Sequence, residues 1–242
     1  MSKRQEIRER RHREQIRNRI IVIGLVVLGA LLVTFALILP SLKTARTAAN
    51  AAATPVVVVT PRAFTTKVDG VHLGDPNAPV KVDAYEDFRC SVCLLYTQSI
   101  EPVVIQNYVE TGKVYYTYHF FIVIDGNDGT DASLRSANAA LCAGEQGHFW
   151  DYHDTLYANQ ITEDASLYTD ARLITMAENL KLDMTAFNQC YQAKKYNSVV
   201  QADITQGVTL KITGTPSIFV NGKIVSNFQQ TTQTIDAALA GK

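Results

Sequence analysis

The feature that most constrains the fold is a change of period at Cys90. Upstream, Val80–Tyr85 alternates apolar and polar side chains as a half-buried strand does, and closes on Glu86-Asp87-Phe88. Downstream, from Ser91 to about Glu110, Val92, Leu95, Val103 and Tyr108 recur at spacings that suit a helix, with Pro102 as a kink and Thr111-Gly112 as a stop. The junction itself reads Cys90-Ser91-Val92-Cys93. Four cysteines scattered at random give some pair at this spacing in only about 5% of chains of this length, so the spacing carries information. A thiol at a helix N-terminus faces unpaired N–H groups and the positive end of the helix dipole, which favour thiolate over thiol. A second cysteine one turn in can attack a mixed disulfide formed on the first. The pattern predicts dithiol–disulfide exchange at Cys90 and Cys93.

Other readings of the pair fare less well. Half a zinc site lacks its other half, because no second Cys-x-x-Cys exists and His119, His148 and His153 would have to assemble from separate segments. Haem attachment is excluded by Leu94, which stands where the histidine should be. A purely structural disulfide remains open, since extracellular chains use them freely.

The rest of the chain frames this unit. Lys113–Ile124, dense in Val, Tyr, Phe and Ile, reads as a second strand and Asp125–Thr130 as a loop. From Asp131 to about Thr209 the periodicity is helical and proline-free, with breaks near Gln146-Gly147, Asn159–Ser166 and Lys181–Asp183. Ser217–Val220 and Lys223–Ser226 flank Asn221-Gly222, a strong hairpin signal, and Thr231–Ala240 closes as a helix. This order predicts an α/β domain with a helical insertion at about 131–209. The run His148, Phe149, Trp150, Tyr152, His153 is read as core rather than as a ligand site. No Gly-rich phosphate loop, Gly-x-Ser-x-Gly elbow or EF-hand spacing occurs, so no cofactor or metal is expected.

Charge and hydropathy place the domain. The first 19 residues carry eight basic and three acidic side chains, while the remainder has 15 basic against 20 acidic. The only strongly basic stretch therefore sits beside a hydrophobic run, which argues against nucleic-acid binding. Residues 20–39 contain no charge and would span roughly 30 Å as a helix, the thickness of a hydrocarbon core. The basic excess before this run predicts a cytoplasmic tail over 1–19, a single transmembrane anchor over 20–39, and an extracytoplasmic domain after it. A cleaved signal peptide is the alternative, but its apolar core is usually only about 7–15 residues. Residues 40–66, rich in Ala and Thr, read as a linker in which Val56–Val59 could dock as a strand. The domain proper is expected over 67–242.

Asp75-Pro76, Ala78-Pro79-Val80-Lys81-Val82 and Tyr85-Glu86-Asp87-Phe88-Arg89-Cys90-Ser91-Val92-Cys93, with Pro102 following, resemble the DsbA-like thiol:disulfide oxidoreductases of the thioredoxin superfamily. Within these, the chain is most similar to the membrane-anchored BdbD-like branch. Leu141–His153, Phe187–Cys190, Gly207-Val208 and Gly214-Thr215-Pro216 through Asn221-Gly222 match in the same order. The resemblance covers about residues 67–242. It implies a thioredoxin fold with a helical insertion, and a cis peptide at Thr215-Pro216 packed against the cysteine pair. Most X-Pro bonds in folded proteins are trans, so Pro216 alone would not have suggested this. The resemblance implies unfolded exported proteins as substrates, held as an extended strand beside Cys90 by the Thr215-Pro216 loop, and a membrane quinone-linked partner of the DsbB or VKOR type as reoxidant. Without a dimerisation module ahead of the domain, oxidation is expected over isomerisation. Ser91 departs from the proline of many relatives, adding a hydroxyl and a backbone N–H.

Ser91 and Val92, lying between the cysteines, together with Glu86 and Arg89, are candidates for tuning the Cys90 pKa, carboxylates disfavouring a thiolate they point at and Arg89 favouring it. If Cys90 and Cys93 pair, Cys142 and Cys190 are left to each other, a staple closing a loop of about 49 residues and worth roughly 4 kcal/mol in the chain-entropy model; two separate buried thiols are the alternative. The expected function is disulfide donation to exported proteins. A reductase of the same fold, as in cytochrome maturation, and a non-catalytic binding or chaperone module remain as rivals.

Overall fold

The computed structural model describes residues 19, 21, 23–25, 27–29, 32–37, 55–57 and 59–241. The chain divides into two units, Met1–Ala53 and Thr54–Lys242. In the first, every described residue is helical, and the described large apolar side chains from Ile21 to Leu37 are all more than half exposed. Among the described residues no helix is long and apolar enough to cross a membrane. The expected anchor at 20–39 includes residues 20, 22, 26, 30, 31, 38 and 39, which lie outside the described residues, as do 1–18 and 40–54.

The second unit is organised by a six-stranded sheet. Its strands are β1 (Val68–Asp69), β2 (His72–Leu73), β3 (Val80–Glu86), β4 (Val114–Phe120), β5 (Ser217–Val220) and β6 (Lys223–Ile224), in spatial order β1-β2-β4-β3-β5-β6. β3 lies parallel to β4 and antiparallel to β5, so the strand that leads into Cys90 is central and buried along most of its length. Asn221 and Gly222 adopt positive φ of 49° and 74°, the backbone their hairpin turn requires. Asn221 also exchanges bonds with Lys81, accepting its N–H at Oδ1 and donating to its carbonyl, both at 2.9 Å. The short β1–β2 hairpin was not foreseen. It ends in Gly74 at φ +100°, where a Cβ would lie 2.6 Å from the Val114 carbonyl oxygen.

Helix α1 (Ser91–Ser99) follows β3 directly. It breaks at Ile100, and α2 (Glu101–Val104) resumes with Pro102 in its first turn before passing into a π-helical turn at Ile105–Val109. The expected kink at Pro102 is thus a change of helix type. The insertion contains α3 (Ile124–Asp128), α4 (Ala132–Gly144), α5 (Phe149–Ala158), α6 (Asp170–Asn179), α7 (Met184–Gln192) and α8 (Asn197–Thr209), and α9 (Thr231–Ala240) closes the chain. Three boundaries correct the sequence reading. β4 stops at Phe120 rather than Ile124, because Phe121 turns into a core cluster with Tyr85, Ile212 and Phe219. The expected loop at 125–130 is mostly α3, and a further break separates α7 from α8.

Part of the segment read as a linker docks on the domain, as the sequence allows for Val56–Val59, though its described residues form no strand. Described residues from 55 onwards lie on the domain: Val57 donates its N–H to Asn159 Oδ1 at 2.7 Å and accepts from Asn159 Nδ2 at 3.1 Å. The aromatic run is core, with Phe149, Trp150, Tyr152 and His153 buried, and only His148 lies towards solvent, beside Asp151.

On β4, His119 sits between Asp83 and Asp203 at 3.2 and 3.1 Å and stacks on Tyr85. Burial disfavours its charge, but hydrogen bonds to the two carboxylates outweigh this and raise its pKa from 6.5 to about 9. A raised folded-state pKa gives stability that is complete below about pH 6.5 and lost as pH rises through about 9. The unfolding free energy of the oxidised protein, whose active-site thiols do not titrate, should therefore fall by about 3 kcal/mol across that window. Urea denaturation of His119→Gln should show less than half that fall; an equal fall in both proteins would assign it elsewhere.

Candidate active site

The site begins with the turn between β3 and α1. Cys90 donates its N–H to the Asp87 carbonyl at 2.9 Å, and the buried Asp87 carboxylate accepts from Arg89 N at 2.9 Å and from the N–H groups of Val123 and Ile124 at 3.0 Å each. Asp87 thus fixes the turn and points away from the nucleophile. Cys90 becomes the N-cap of α1 in extended conformation, with no side-chain cap, so its sulfur stands where a capping oxygen would. Both thiols are free, Cys90 6% exposed and Cys93 fully buried.

The other wall comes from β5. Register pairs Ser217 with Tyr85, which puts the preceding Thr215-Pro216 peptide at the C-terminal end of β3, where the chain runs on to Cys90. This peptide is cis, and the Thr215 carbonyl accepts from Cys90 Sγ at 3.4 Å. Thr215 Oγ1 is buried and, among the described residues, without a fixed partner, leaving a donor free to turn toward the reacting sulfur.

These contacts split the two thiols. A hydrogen bond from Cys93 lowers the Cys90 pKa to about 6 against the opposing effect of partial burial, aided by the Thr215 side-chain hydroxyl, not its carbonyl, and by the N–H groups of Cys93 and Val92. Burial pushes the Cys93 thiol well up, and its bond to Cys90 and the charge of Glu86 add to this. Cys90 is therefore the attackable, readily leaving sulfur, and Cys93 its protonated partner.

Glu86 is fully buried, and its carboxyl is pushed well above the usual range by burial and then by Glu101, against a 3.0 Å bond donated by Tyr157 Oη. A carboxyl shifted upwards holds its proton more readily than an ordinary glutamate, which weakens the repulsion of a Cys90 thiolate expected of a nearby carboxylate. Behind it, Glu101 is fully buried too and accepts from Arg62 Nη1 at 3.0 Å; Arg62 also grips Asp154 through Nε and Nη2 at 2.5 and 2.6 Å. Burial works against the Arg62 charge, but Glu101 and Asp154 hold its pKa above the ordinary value. His153, fully buried, joins the group with Nδ1 2.9 Å from Asp154 and Nε2 3.6 Å from Glu101. Among the described residues Glu86 Oε1, Thr97 Oγ1, Glu101 Oε2 and Tyr118 Oη have no hydrogen-bond partner, so the region behind Cys93 is polar and unsaturated.

The structure thus gathers Cys90, Cys93, Val92, Glu86, Thr215 and Pro216. Arg89 is not available to the thiolate: its buried guanidinium donates to Asp125 and Thr130, each at 2.8 Å, and pairs with Asp128. Ser91 turns its N–H and hydroxyl to Glu163. Cys142 and Cys190 form a disulfide. Among the described residues no cluster of His, Cys, Asp and Glu could hold a metal ion. Sequence reading missed Arg62, Glu101 and Glu163, which reach the site from 28 residues before Cys90 and 11 and 73 after it. Only Glu101, placed beside Pro102 in an otherwise apolar stretch, carried a local signal.

A buried dithiol at a helix N-terminus, facing a cis-proline loop on a mixed sheet flanked by helices, defines a thiol:disulfide oxidoreductase of the DsbA-like kind. Residues 65–239 match the family model described as Thioredoxin, and the chain belongs to that family. The probable disulfide bond formation protein D of Bacillus anthracis is 29% identical over 171 residues, 69% of this chain and 77% of that protein. Disulfide bond formation protein D of Bacillus subtilis is 25% identical over 174 residues, covering 70% and 77%. The crystal structure of oxidised BdbD from Bacillus subtilis superposes with a TM-score of 0.63 at 23% identity, over 77% of this chain and all of that one.

Proposed function

We propose that the chain is a membrane-anchored donor of disulfides to exported proteins on the extracytoplasmic side. The observation that carries the direction of the reaction is the split between the thiols. A Cys90 thiolate stabilised at a pKa of about 6 favours the reduced form, and a pair whose reduced form is stabilised is an oxidant. The names of the Bacillus relatives support the same activity. The basic tail, the uncharged run at 20–39 and the exposed apolar helical residues support the anchor.

A substrate thiolate attacks Cys90 Sγ of the Cys90–Cys93 disulfide, forming a mixed disulfide and expelling Cys93 as a thiolate. Cys93 takes a proton, which the buried Glu86 carboxyl, with its raised pKa, can supply before being reprotonated from solvent. A second substrate thiolate then attacks the substrate sulfur of the mixed disulfide, and Cys90 leaves as a thiolate. Two electrons pass from the substrate dithiol to the enzyme pair. The Thr215-Pro216 loop offers backbone to an extended substrate segment, as in strand addition. Reoxidation returns the electrons to a membrane quinone-linked partner of the DsbB or VKOR type, supported by the resemblance.

The test is the reduction potential of the full-length protein in glutathione buffers, with Cys142–Cys190 intact. A value near about −120 mV is expected; one near about −270 mV or below would overturn donation in favour of a reductase or a structural disulfide.

A further inference from the structure

Both residues that flank Cys90 hold the same partner. Arg89 Nε donates to the Glu163 carbonyl at 3.1 Å, with Nη2 on the same oxygen, while Ser91 donates its N–H at 3.1 Å and its hydroxyl at 2.9 Å to Glu163 Oε1. Glu163 is exposed and lies in the connection between α5 and the 3-10 turn at Ala165–Tyr168. Its backbone and its side chain are therefore both located from the nucleophile's own turn. Arg89 is fully buried and outnumbered by Asp125 and Asp128, so it brings no net positive charge to offset this carboxylate. Among the described residues Glu163 has no salt-bridge partner. The surrounding surface is apolar: Val92 and Leu95 on α1 are 43% and 48% exposed, and Ile161 on the Glu163 loop is 65% exposed. Negative charge thus stands uncompensated beside exposed apolar side chains. Of its carriers Glu163, bonded to Ser91, is the one held by the residue next to the sulfur that substrates must reach, and the exposed Asp164 follows it in the chain.

We propose that Glu163 is a specificity-determining residue, which favours exchange with substrate thiols flanked by cationic side chains over those flanked by carboxylates. This rests on the exchange activity proposed above but not on its direction. A flanking side chain of a substrate joined to Cys90 comes within several ångströms of Glu163, where opposite charges attract and like charges repel by enough to change rates severalfold in low salt. The exposed position makes the effect sensitive to ionic strength. The hydroxyl and N–H of Ser91 have a structural use here, since a proline at this position would supply neither of the two donors that hold the carboxylate.

The test uses two dithiol peptides identical except for Lys or Glu on each side of the reacting cysteine. Exchange by the full-length protein is followed in both directions, from oxidised enzyme with reduced peptide and the reverse. The wild type should show a kcat/KM ratio favouring the Lys peptide by about threefold to tenfold at low salt, collapsing at 0.5 M salt. Glu163→Gln keeps a hydrogen-bond acceptor for Ser91 and should cut the ratio by at least half with an unchanged melting temperature, the remaining preference belonging to Asp164 and the aspartates around Arg89. A wild-type ratio near one, or an equal ratio in Glu163→Gln, overturns the proposal. Exchange in the reductive direction alone would overturn disulfide donation while leaving the ratio to decide the role of Glu163.

Discussion

Cys90→Ser will reduce exchange to the uncatalysed background, whereas Cys93→Ala will accumulate mixed disulfides with substrate proteins. The two outcomes differ because the thiols are unlike. Cys90 lies at the surface end of α1, with Thr215 against its sulfur, and is the atom that substrates reach. Cys93 is sealed behind it, so its removal leaves the Cys90 thiolate able to attack a substrate disulfide, expelling the other substrate sulfur as a thiolate, but deletes the internal thiol that would release the adduct. Non-reducing gels of the Cys93→Ala protein should show thiol-sensitive adducts, absent from the Cys90→Ser/Cys93→Ala double variant. Full function in a Cys90→Ser strain would mean that the pair is structural and the chain a binding module.

Arg62→Met will destabilise the fold by about 3–5 kcal/mol in urea denaturation, the cost of leaving a buried charge without its partner. Glu101 has no exposed surface, and Arg62 is the cation in contact with it at 3.0 Å. The Asp154 end is more open, with a side chain 12% exposed, so the loss centres on Glu101. A double-mutant cycle separates this from lost packing. Adding Glu101→Gln to Arg62→Met should recover most of the stability, because the uncompensated carboxylate is then gone. If the two substitutions destabilise additively, the ion pair is not what holds the segment before β1 in place.

How much of this was legible in the sequence follows the range of the interactions. The strand–dithiol–helix junction was legible because it is local: the period changes from alternation to helix within a few residues of Cys90. The hairpin at Asn221-Gly222 was legible for the same reason, since the turn demands positive φ at both positions. The pairing of Cys142 with Cys190 was reached by elimination, and the cis peptide only through family resemblance. What escaped was non-local or too short to have a period. β1 and β2 have two residues each, and no alternation can be read from two. Phe121–Ile124 is as apolar as a strand but serves a cluster beside α8, where Gly207 leaves room for the Phe121 ring. Arg62 looked like part of a linker because its partners, Glu101 and Asp154, are 39 and 92 residues away. Arg89 reads in sequence as a thiolate stabiliser, since nothing near it shows that two aspartates on α3 occupy its charge.

The Cys142–Cys190 disulfide gains a particular meaning in such a molecule. A catalyst that swaps sulfur partners is exposed to its own reaction, for any accessible disulfide on its surface is a target for a neighbouring copy's thiolate. Cys142 and Cys190 are 1% and 6% exposed, inside the helical insertion, on α4 and α7. Cys190 is no less exposed than Cys90, so what sets the pairs apart is position: Cys142 and Cys190 lie in the last turns of their helices, where the helix dipole disfavours the leaving thiolate that exchange requires. The two sulfur pairs are thereby insulated from each other, and one can cycle through many turnovers while the other stays fixed.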